Sequence, residues 1–232
     1  GLNATLAMCI PGIAVIIIFM MKNHYYTVAC LHHNHEVKKA ISENNQQENI
    51  KGFIYLVGIL FVRSAGWFSF VSCLSLYYMH KLNINDEIAS LLNGMVALIG
   101  AIATFSGGTV SDKIGFNRII TWASLASAPF IILFTQTDNA VIATLLLVPF
   151  ALLFFAAMSP TVVVGQKLLC KHVGMATGFT IGLSMSFGGL VAPLMGMLGD
   201  AYGIEYIMYA VACFITIAAI ATIFLPKVDA KA

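Results

Sequence analysis

An arginine lies inside a long apolar run of this sequence, where a charge is costly. Arg63 comes about 11 residues into the run of residues 52–79, which is roughly 16 Å along a helix. A charge at that depth in a bilayer costs about 2.5–3.5 kcal/mol on insertion scales. Trp67 and Phe70 follow at i+4 and i+7, so one helix face joins a cation to two aromatic rings. We predict that this face lines a substrate path and suits an anionic or phosphonate-like group. The alternative is a structural arginine that bonds to backbone carbonyls or reaches toward the membrane surface.

Gln166 is a second polar candidate for the substrate path. It follows Ser159 and Pro160 near the end of a predicted span, and a proline disturbs the helical hydrogen-bond pattern and can mark a hinge. The alternative interpretation of Gln166 is a solvated residue at a helix end.

Catalytic and metal-binding motifs are missing from the sequence. It contains no G-x-S-x-G, H-E-x-x-H or P-loop pattern, so we expect neither an enzyme nor a cofactor. Cys30, His32, His33 and His35 are residue types that zinc accepts, but their spacing matches no established motif. They lie in a polar segment that is typical of a disordered linker, so no metal site is predicted.

The elements that position these residues are predicted to be membrane helices. Hydrophobic residues make up 59% of the chain and charged residues 9%, whereas soluble domains carry about 25% charged residues. The net charge of +2 is too small to indicate nucleic acid as a partner. Apolar runs without the alternation of a β-barrel predict an all-α membrane protein with about seven spans. The spans are residues 2–21, 52–79, 87–108, 119–136, 140–166, 173–198 and 205–225.

Lysine and arginine are divided unevenly between the two sides of the predicted membrane. One side has only Lys81, and Arg63 lies within a span. The other side collects Lys22, Lys38, Lys39, Lys51, Lys113, Arg118, Lys167, Lys171, Lys227 and Lys231. Because cytoplasmic loops carry an excess of these residues, we expect residues 22–51, the loops near residues 113 and 170, and the C-terminus to be cytoplasmic.

An internal repeat appears at an offset of 88 residues. Its glycines would allow close helix packing in lipid, and the last one would supply a permissive turn. Because three spans separate the copies, they lie on opposite sides of the membrane, which makes a 3+3 inverted repeat typical of secondary transporters. Gly94, Gly100, Gly108, Asp112 and Gly115 align with Gly182, Gly188, Gly196, Asp200 and Gly203.

The stretch from Gly107 to Arg118 resembles the loop motif of the major facilitator superfamily, G-G-x-x-x-D-R-x-G-R-[KR]. The glycines Gly107, Gly108 and Gly115 match together with Asp112, Lys113 stands where the family often has arginine, and Arg118 keeps one later basic position. Phe116 and Asn117 depart from the basic residues expected there. The stretches Ser-Pro-Thr-Val-Val-Val-Gly-Gln-Lys-Leu-Leu (159–169), Gly-Met-Ala-Thr-Gly (174–178) and Gly-Gly-Leu-Val-Ala-Pro (188–193) resemble the fosmidomycin-resistance type of this family.

This resemblance implies a fold of twelve helices in two halves and a function in drug or small-metabolite efflux, with antiport as the expected mode, across the bacterial inner membrane. Residues 1–21 would be helix 6, residues 22–51 the cytoplasmic central linker, residues 52–226 the six-helix C-terminal half and residues 227–232 a cytoplasmic tail. The expected partners are a small-molecule substrate, the lipid bilayer, and an N-terminal half or a second copy of the chain.

The resemblance also implies a gating role for Asp112. In the family this loop carboxylate caps a helix and latches the cytoplasmic side in the outward-open state. The alternative is simple turn chemistry, since aspartate favours turns and caps. No acidic residue lies in the middle of a span, so proton-coupling carboxylates are expected in the other half.

Two other classes of function compete with the carrier. A non-transporting membrane protein, either a remnant or an interaction subunit without an N-terminal half, would share every span and turn described above. A membrane enzyme is less favoured, because no catalytic constellation accompanies the spans.

Overall fold

Six long helices make up the part of the chain that the structure describes. A computed structural model describes residues 48–226, and in that range six helices are long and apolar enough to cross a membrane. The helices are α1 (Ile50–His80), α2 (Asp86–Ile114), α3 (Phe116–Gln136), α4 (Ala140–Leu168), α5 (Cys170–Tyr202) and α6 (Ile204–Phe224). The all-α prediction and six of its spans are therefore confirmed. The predicted span 2–21, most of the predicted linker with its histidines, and the tail 227–232 lie outside the described residues.

Helix α2 extends six residues beyond its predicted end at residue 108. Residues 109–114 contain no proline or glycine that would stop a helix, and the hydroxyl groups of Thr109 and Ser111 donate to carbonyls one turn earlier in the helix. The helix ends only at Gly115, where φ is 107°. Asp112 and Lys113 therefore lie in the last helical turn and not in a loop.

The two glycines that close the repeated motif have the same backbone conformation. Gly115 and Gly203 have φ values of 107° and 102°, a region that favours glycine. The turn after α2 lies near the end of α6, where Asn117 Nδ2 donates to the Pro226 carbonyl at 2.8 Å. The turn after α5 lies at the opposite end, where Glu205 pairs with Lys81 at 3.6 Å. The repeated turn is thus found at opposite ends of the bundle, as an inverted repeat requires.

Two repeat-related glycines bring helices from different halves of the repeat into contact. A Cβ built on Gly100 of α2 would stand 2.6 Å from the Phe155 ring of α4. A Cβ on the equivalent Gly188 of α5 would stand 2.7 Å from the carbonyl oxygen of Ser64 in α1. The prediction that glycine permits close helix packing therefore holds for this pair, whereas Gly94 and Gly182 have nothing within 4 Å.

Aromatic side chains fill the core between α1, α3 and α4. Phe70, Tyr77, Phe134 and Phe150 are fully buried, and Phe70 makes edge contacts with the rings of Phe134 and Phe150 at 5.9 and 5.3 Å. The helices α2 and α5 are the least buried of the six. Many of their exposed side chains are large and apolar, which suits lipid or another protein surface and not water.

Helix α4 is interrupted in its middle. Two helical segments, Ala140–Ala156 and Met158–Leu168, meet at Ala157, just before Pro160. Proline has no N–H to donate and its ring crowds the carbonyl four residues earlier. The Ala156 carbonyl therefore loses the donor that residue 160 would supply, and the break at Ala157 leaves carbonyl groups in this turn able to accept bonds from other helices.

Candidate functional site

Arg63 points into the helix bundle and not toward lipid. It lies near the middle of α1, about 20 Å from the helix start at 1.5 Å per residue, and it is 9% exposed. Its Nη2 donates a hydrogen bond to the Phe154 carbonyl of α4. Its guanidinium carbon lies 4.2 Å from the centre of the Phe154 ring, within cation–π range. The side chain thus faces the interior, as the sequence predicts for a charge at this depth.

The interruption of α4 explains why this carbonyl is free to bind an arginine. Phe154 is among the last four residues of the segment Ala140–Ala156, whose carbonyl groups have no partner within the segment. The kink therefore supplies an acceptor in the middle of the bundle. Pro160, which the sequence suggested as a hinge, is the local signal for it.

A cavity of about 130 Å³ opens beside the guanidinium. It lies between α1, α4 and α5, and its walls are mainly aromatic and aliphatic. The lining residues are Leu60, Arg63, Ser64, Trp67, Phe68, Phe154, Phe155, Met158, Thr161, Val162, Thr180, Ile181 and Met185. Of these, the sequence singled out only Arg63 and Trp67. The remainder come from parts of α1, α4 and α5 that have no unusual residue type to mark them.

Arg63 has no acidic partner among residues 48–226. The acidic residues in this range all lie at or near helix ends, and the ion pairs found there involve Lys81 and His172. The guanidinium is held by a carbonyl and an aromatic face, neither of which carries a net negative charge. Among residues 48–226 it is therefore the one cation that lines this largely apolar cavity, and no carboxylate of that range would compete there with an anionic group.

Trp67 and Phe70 occupy different environments although they share a helix face with Arg63. Trp67 lines the cavity and stacks on the Phe154 ring with the centroids 5.0 Å apart. Phe70 lies 5.9 Å from the Trp67 ring but is fully buried in the aromatic core. It packs against Trp67 but does not line the cavity, because it lies three residues further along α1, beyond the cavity wall.

Gln166 lies outside this cavity. Its Nε2 donates to Thr177 Oγ1 at 2.8 Å, which joins the last turns of α4 to the beginning of α5. The contact ties two helices together near their ends, and a role of Gln166 in the substrate path stays a prediction.

The glycines of the loop motif pack α2 against the kink in α4. A Cβ on Gly107 would stand 2.2 Å from the Ala156 carbonyl oxygen, and one on Gly108 would stand 3.0 Å from Ser159 Oγ. These residues act inside the bundle, whereas Lys113 and Arg118 of the same motif are exposed.

Asp112 is exposed in the last turn of α2 and forms no ion pair with residues 48–226. The side chain of Asp112 does not cap α3, the helix that follows the motif. That helix begins after Gly115 with no side-chain cap, because α2 runs on to residue 114 and separates the carboxylate from the next helix start. The gating role of Asp112 stays a prediction.

The second copy of the motif borders a different cavity, of about 410 Å³, at the other end of the bundle. Gly196 and Asp200 of α5 line it together with Cys73 and His80 of α1, and Gly203 forms the turn that follows. The sequence predicted the turn but not this cavity.

Lys81 is the only lysine or arginine at that end among the described residues, and it connects the loop after α1 with the end of α3, the α3–α4 loop and the first turn of α6. Its Nζ lies 3.4 Å from Asp138 and 3.6 Å from Glu205, and it donates to the Thr135 carbonyl at 3.1 Å. Burial acts to lower the pKa of Lys81, but its contacts with Tyr77 and the two carboxylates outweigh that effect and raise the pKa. The other end of the bundle carries Lys51, Lys113, Arg118, Lys167 and Lys171. This division agrees with the predicted charge asymmetry, while the orientation in the membrane stays a prediction.

Comparison with known proteins points to one family. The sequence profile described as Major Facilitator Superfamily matches residues 56–232. The chain is 29% identical over 179 residues to the fosmidomycin resistance protein of Escherichia coli (strain K12), covering 75% of this chain and 43% of that protein. It is 32% identical over 151 residues to the uncharacterized MFS-type transporter YfnC of Bacillus subtilis (strain 168), covering 65% of this chain and 36% of that protein.

A solved structure shows the same architecture. The crystal structure of the Major Facilitator Superfamily transporter FucP in the outward conformation superposes with a TM-score of 0.67 at 18% identity. The match covers 77% of this chain and 43% of that one, and at this identity it speaks for the fold alone. The chain spans less than half the length of each of the three proteins.

Proposed function

The chain belongs to the Major Facilitator Superfamily, a family of secondary transporters, and on that premise we propose that it works as the six-helix half of an export carrier. Its substrate would be a drug or small metabolite, moved by alternating access as two halves rock around a midplane site. The similarity to a protein named for fosmidomycin resistance supports efflux as the direction, and antiport is the mode that we propose with it.

The observation that carries this proposal is the position of Arg63. It is a buried cation at mid-helix, it borders a cavity shared by three helices, and no acidic residue of the described range neutralises it. Charged residues inside membrane spans commonly mark substrate or ion paths. We therefore assign to Arg63 the binding of an anionic substrate group, with Trp67 forming an aromatic wall beside it.

The least buried helices support the need for a partner. Helices α2 and α5 expose large apolar side chains such as Leu98, Phe105 and Leu190, which are 69%, 79% and 72% exposed. In the proposed assembly an N-terminal half or a second copy covers part of these faces, and lipid covers the rest.

Residues 1–21 would be the preceding helix, residues 22–51 the linker, residues 52–226 the C-terminal half and residues 227–232 the tail. The protein would lie in the inner membrane of the cell, with the linker and the tail in the cytoplasm.

Export by the complete transporter tests this proposal. Bacteria sensitive to fosmidomycin, a phosphonate, would express the complete protein, its Arg63→Ala variant and an Arg118→Ala control, in which the replaced arginine is exposed. We expect resistance in the wild type and the control and loss of resistance in Arg63→Ala, with equal amounts of each protein in the membrane. Unchanged resistance in Arg63→Ala would overturn the substrate role of Arg63.

The same experiment separates the carrier from its alternative. A non-transporting membrane remnant or interaction subunit would give no resistance and no accumulation difference for any variant. That outcome would overturn the carrier proposal itself.

A further inference from the structure

A second, much smaller cavity lies behind Arg63, on the side away from the proposed substrate cavity. Its volume is about 10 Å³, and Arg63 and Phe154 form part of its wall. The rest of the wall comes from α3 and α6, which take no part in the larger cavity: Ser124, Ser127, Ile215, Ala218, Ala219 and Thr222. Arg63 therefore separates a large apolar cavity from a small one that is rich in hydroxyl groups.

Ser124 stands out among these hydroxyl groups. It is 7% exposed, and its Oγ has no hydrogen-bond partner among residues 48–226. The other two hydroxyl groups donate within their own helices, Ser127 to the Ser124 carbonyl at 2.7 Å and Thr222 to the Ala219 carbonyl at 2.6 Å. Each of them keeps lone pairs that can accept a further bond. Buried polar groups in folded proteins are nearly always hydrogen-bonded, so an unused hydroxyl here points to a ligand.

Arg63 supplies the complementary donors. A guanidinium has five N–H groups in a fixed fork, and within residues 48–226 the one hydrogen bond of Arg63 is the bond to the Phe154 carbonyl. A cavity of about 10–15 Å³ is large enough for one water molecule, which needs two to four polar partners. The pocket offers Arg63 and Ser124 as donors and Ser127 and Thr222 as acceptors, which satisfies both hydrogens and both lone pairs of a water.

We propose that one water molecule occupies this pocket and bridges Ser124 to the guanidinium, which makes Ser124 a positioning residue for Arg63. The water accepts from the arginine and from the serine hydroxyl, and it donates to the two remaining hydroxyl oxygens. It fixes the side of the guanidinium that the Phe154 carbonyl does not hold. The substrate-facing N–H groups then keep one orientation. The effect on transport rests on the proposed function of Arg63, whereas the water site itself does not.

The chain is well suited to a direct test, because it contains two arginines, Arg63 and the exposed Arg118. The full chain, labelled with ¹⁵N-arginine and reconstituted in lipid, would be studied by proton-detected solid-state NMR, with Arg118→Lys to assign the guanidinium signals. We expect magnetisation transfer from a long-lived water to the Arg63 guanidinium in the wild-type chain. Absence of that transfer would overturn the proposal without the need for any variant.

Two substitutions and a control localise the water. Ser124→Ala removes the unpaired hydroxyl, and Ala219→Val fills the pocket, so both should abolish the transfer from the long-lived water. Ser69→Ala is the matched control, because Ser69 is also buried in a helix, donates to the Ala65 carbonyl at 2.7 Å and lines neither cavity. Transfer that persists in both Ser124→Ala and Ala219→Val would place the water on the substrate side and overturn the role of Ser124.

A kinetic measurement on the complete transporter tests the positioning role. With fosmidomycin as the probe, Ser124→Ala should raise KM and leave the maximal rate close to wild type, while Ser69→Ala should change neither. If Ser124→Ala abolishes the water signal but leaves KM unchanged, the positioning role is wrong. If Arg63→Ala leaves transport intact while the water signal behaves as expected, the proposed function fails and the water site stands.

Discussion

Gly107 of α2 lies directly against the backbone carbonyl of Ala156 in α4, so closely that a Cβ on this glycine would stand 2.2 Å from that oxygen. The carbonyl belongs to the last turn before the kink in α4. The loop-motif glycine and the kink therefore fit together as one packing feature, two residues from the carbonyl that Arg63 binds.

Gly107→Ala should destabilise the bundle, because the neighbouring group is backbone and cannot rotate away. Overpacking of this kind costs typically about 1–3 kcal/mol. Gly94→Ala is the matched control on the same helix, where nothing lies within 4 Å, and it should be neutral or stabilising by about 0.5–1 kcal/mol. Thermal unfolding of the chain in detergent measures both. Equal midpoints for the two variants would contradict the close approach of α2 and α4.

Gly115→Ala and Gly203→Ala should each lower stability by a similar amount. Both glycines have φ near 100°, and backbone strain of this type costs about 1–3 kcal/mol for a residue with a side chain. Gly189→Ala provides a control in a helix with open space around it. The readout is again the unfolding midpoint, and a loss confined to one of the two turns would show that the repeat copies are not structurally equivalent.

Lys81→Met should destabilise the chain at neutral pH. It should also remove part of the loss of folding stability that the wild-type chain shows as the pH rises. Because the folded-state pKa of Lys81 is raised, its stabilisation is fully present below the unfolded-state pKa of about 10.4 and is lost as pH rises through the higher folded-state value. Asp138 and Glu205 have side chains that are 86% and 53% exposed, so the loss should be at most about 1 kcal/mol.

Unfolding midpoints between pH 8 and pH 11 check this prediction. The difference between wild type and Lys81→Met should shrink across the upper part of the range, and Lys51→Met, at the opposite end of the bundle, should not reproduce it. A difference in midpoint between wild type and Lys81→Met that grows with pH would contradict the prediction, because it would mean that the folded-state pKa of Lys81 is lowered and not raised.

Cysteine labelling tests the orientation that the charge asymmetry predicts. In a cysteine-free background, Asn83→Cys lies in the loop after α1 and Lys171→Cys lies in the first turn of α5, and both side chains are exposed. A membrane-impermeant maleimide added to intact cells should label residue 83 at once and residue 171 only after permeabilisation. The reverse pattern would invert the assigned topology.

The sequence predicted the elements of this fold better than the contacts between them. Long apolar runs and the glycine repeat define spans and turns because bilayer thickness and backbone geometry act on each segment separately. Arg63 could be singled out for the same reason, since a charge inside a span is visible without a fold. The bond to the Phe154 carbonyl could not be predicted, because it depends on how far the kink in α4 lies from α1.

Phe70 and Asp112 show the same limit. Helical spacing correctly put Phe70 on the face of Arg63, but only packing against α3 and α4 decides that it belongs to the core. The motif around Asp112 resembles a loop, yet no proline or glycine lies between Gly108 and Gly115, so α2 extends through it. Tertiary contacts and local helix ends are not encoded in residue type alone.

Arg63→Met separates a functional arginine from a structural one, because the two roles predict opposite changes in stability. A structural arginine would hold α1 to α4, and its loss would leave the Phe154 carbonyl buried without its donor, at a cost of about 1–3 kcal/mol. A buried cation without an acidic partner also carries a desolvation cost, and replacing it with an apolar side chain of similar volume is often neutral or stabilising.

No acidic residue of the described range pairs with Arg63. We therefore expect the unfolding midpoint of Arg63→Met to equal or exceed that of wild type, while fosmidomycin export by the complete transporter is lost. Arg63→Lys keeps the charge but not the fork, so it should retain part of the export. A large fall in stability in Arg63→Met would instead assign Arg63 to the architecture of the bundle.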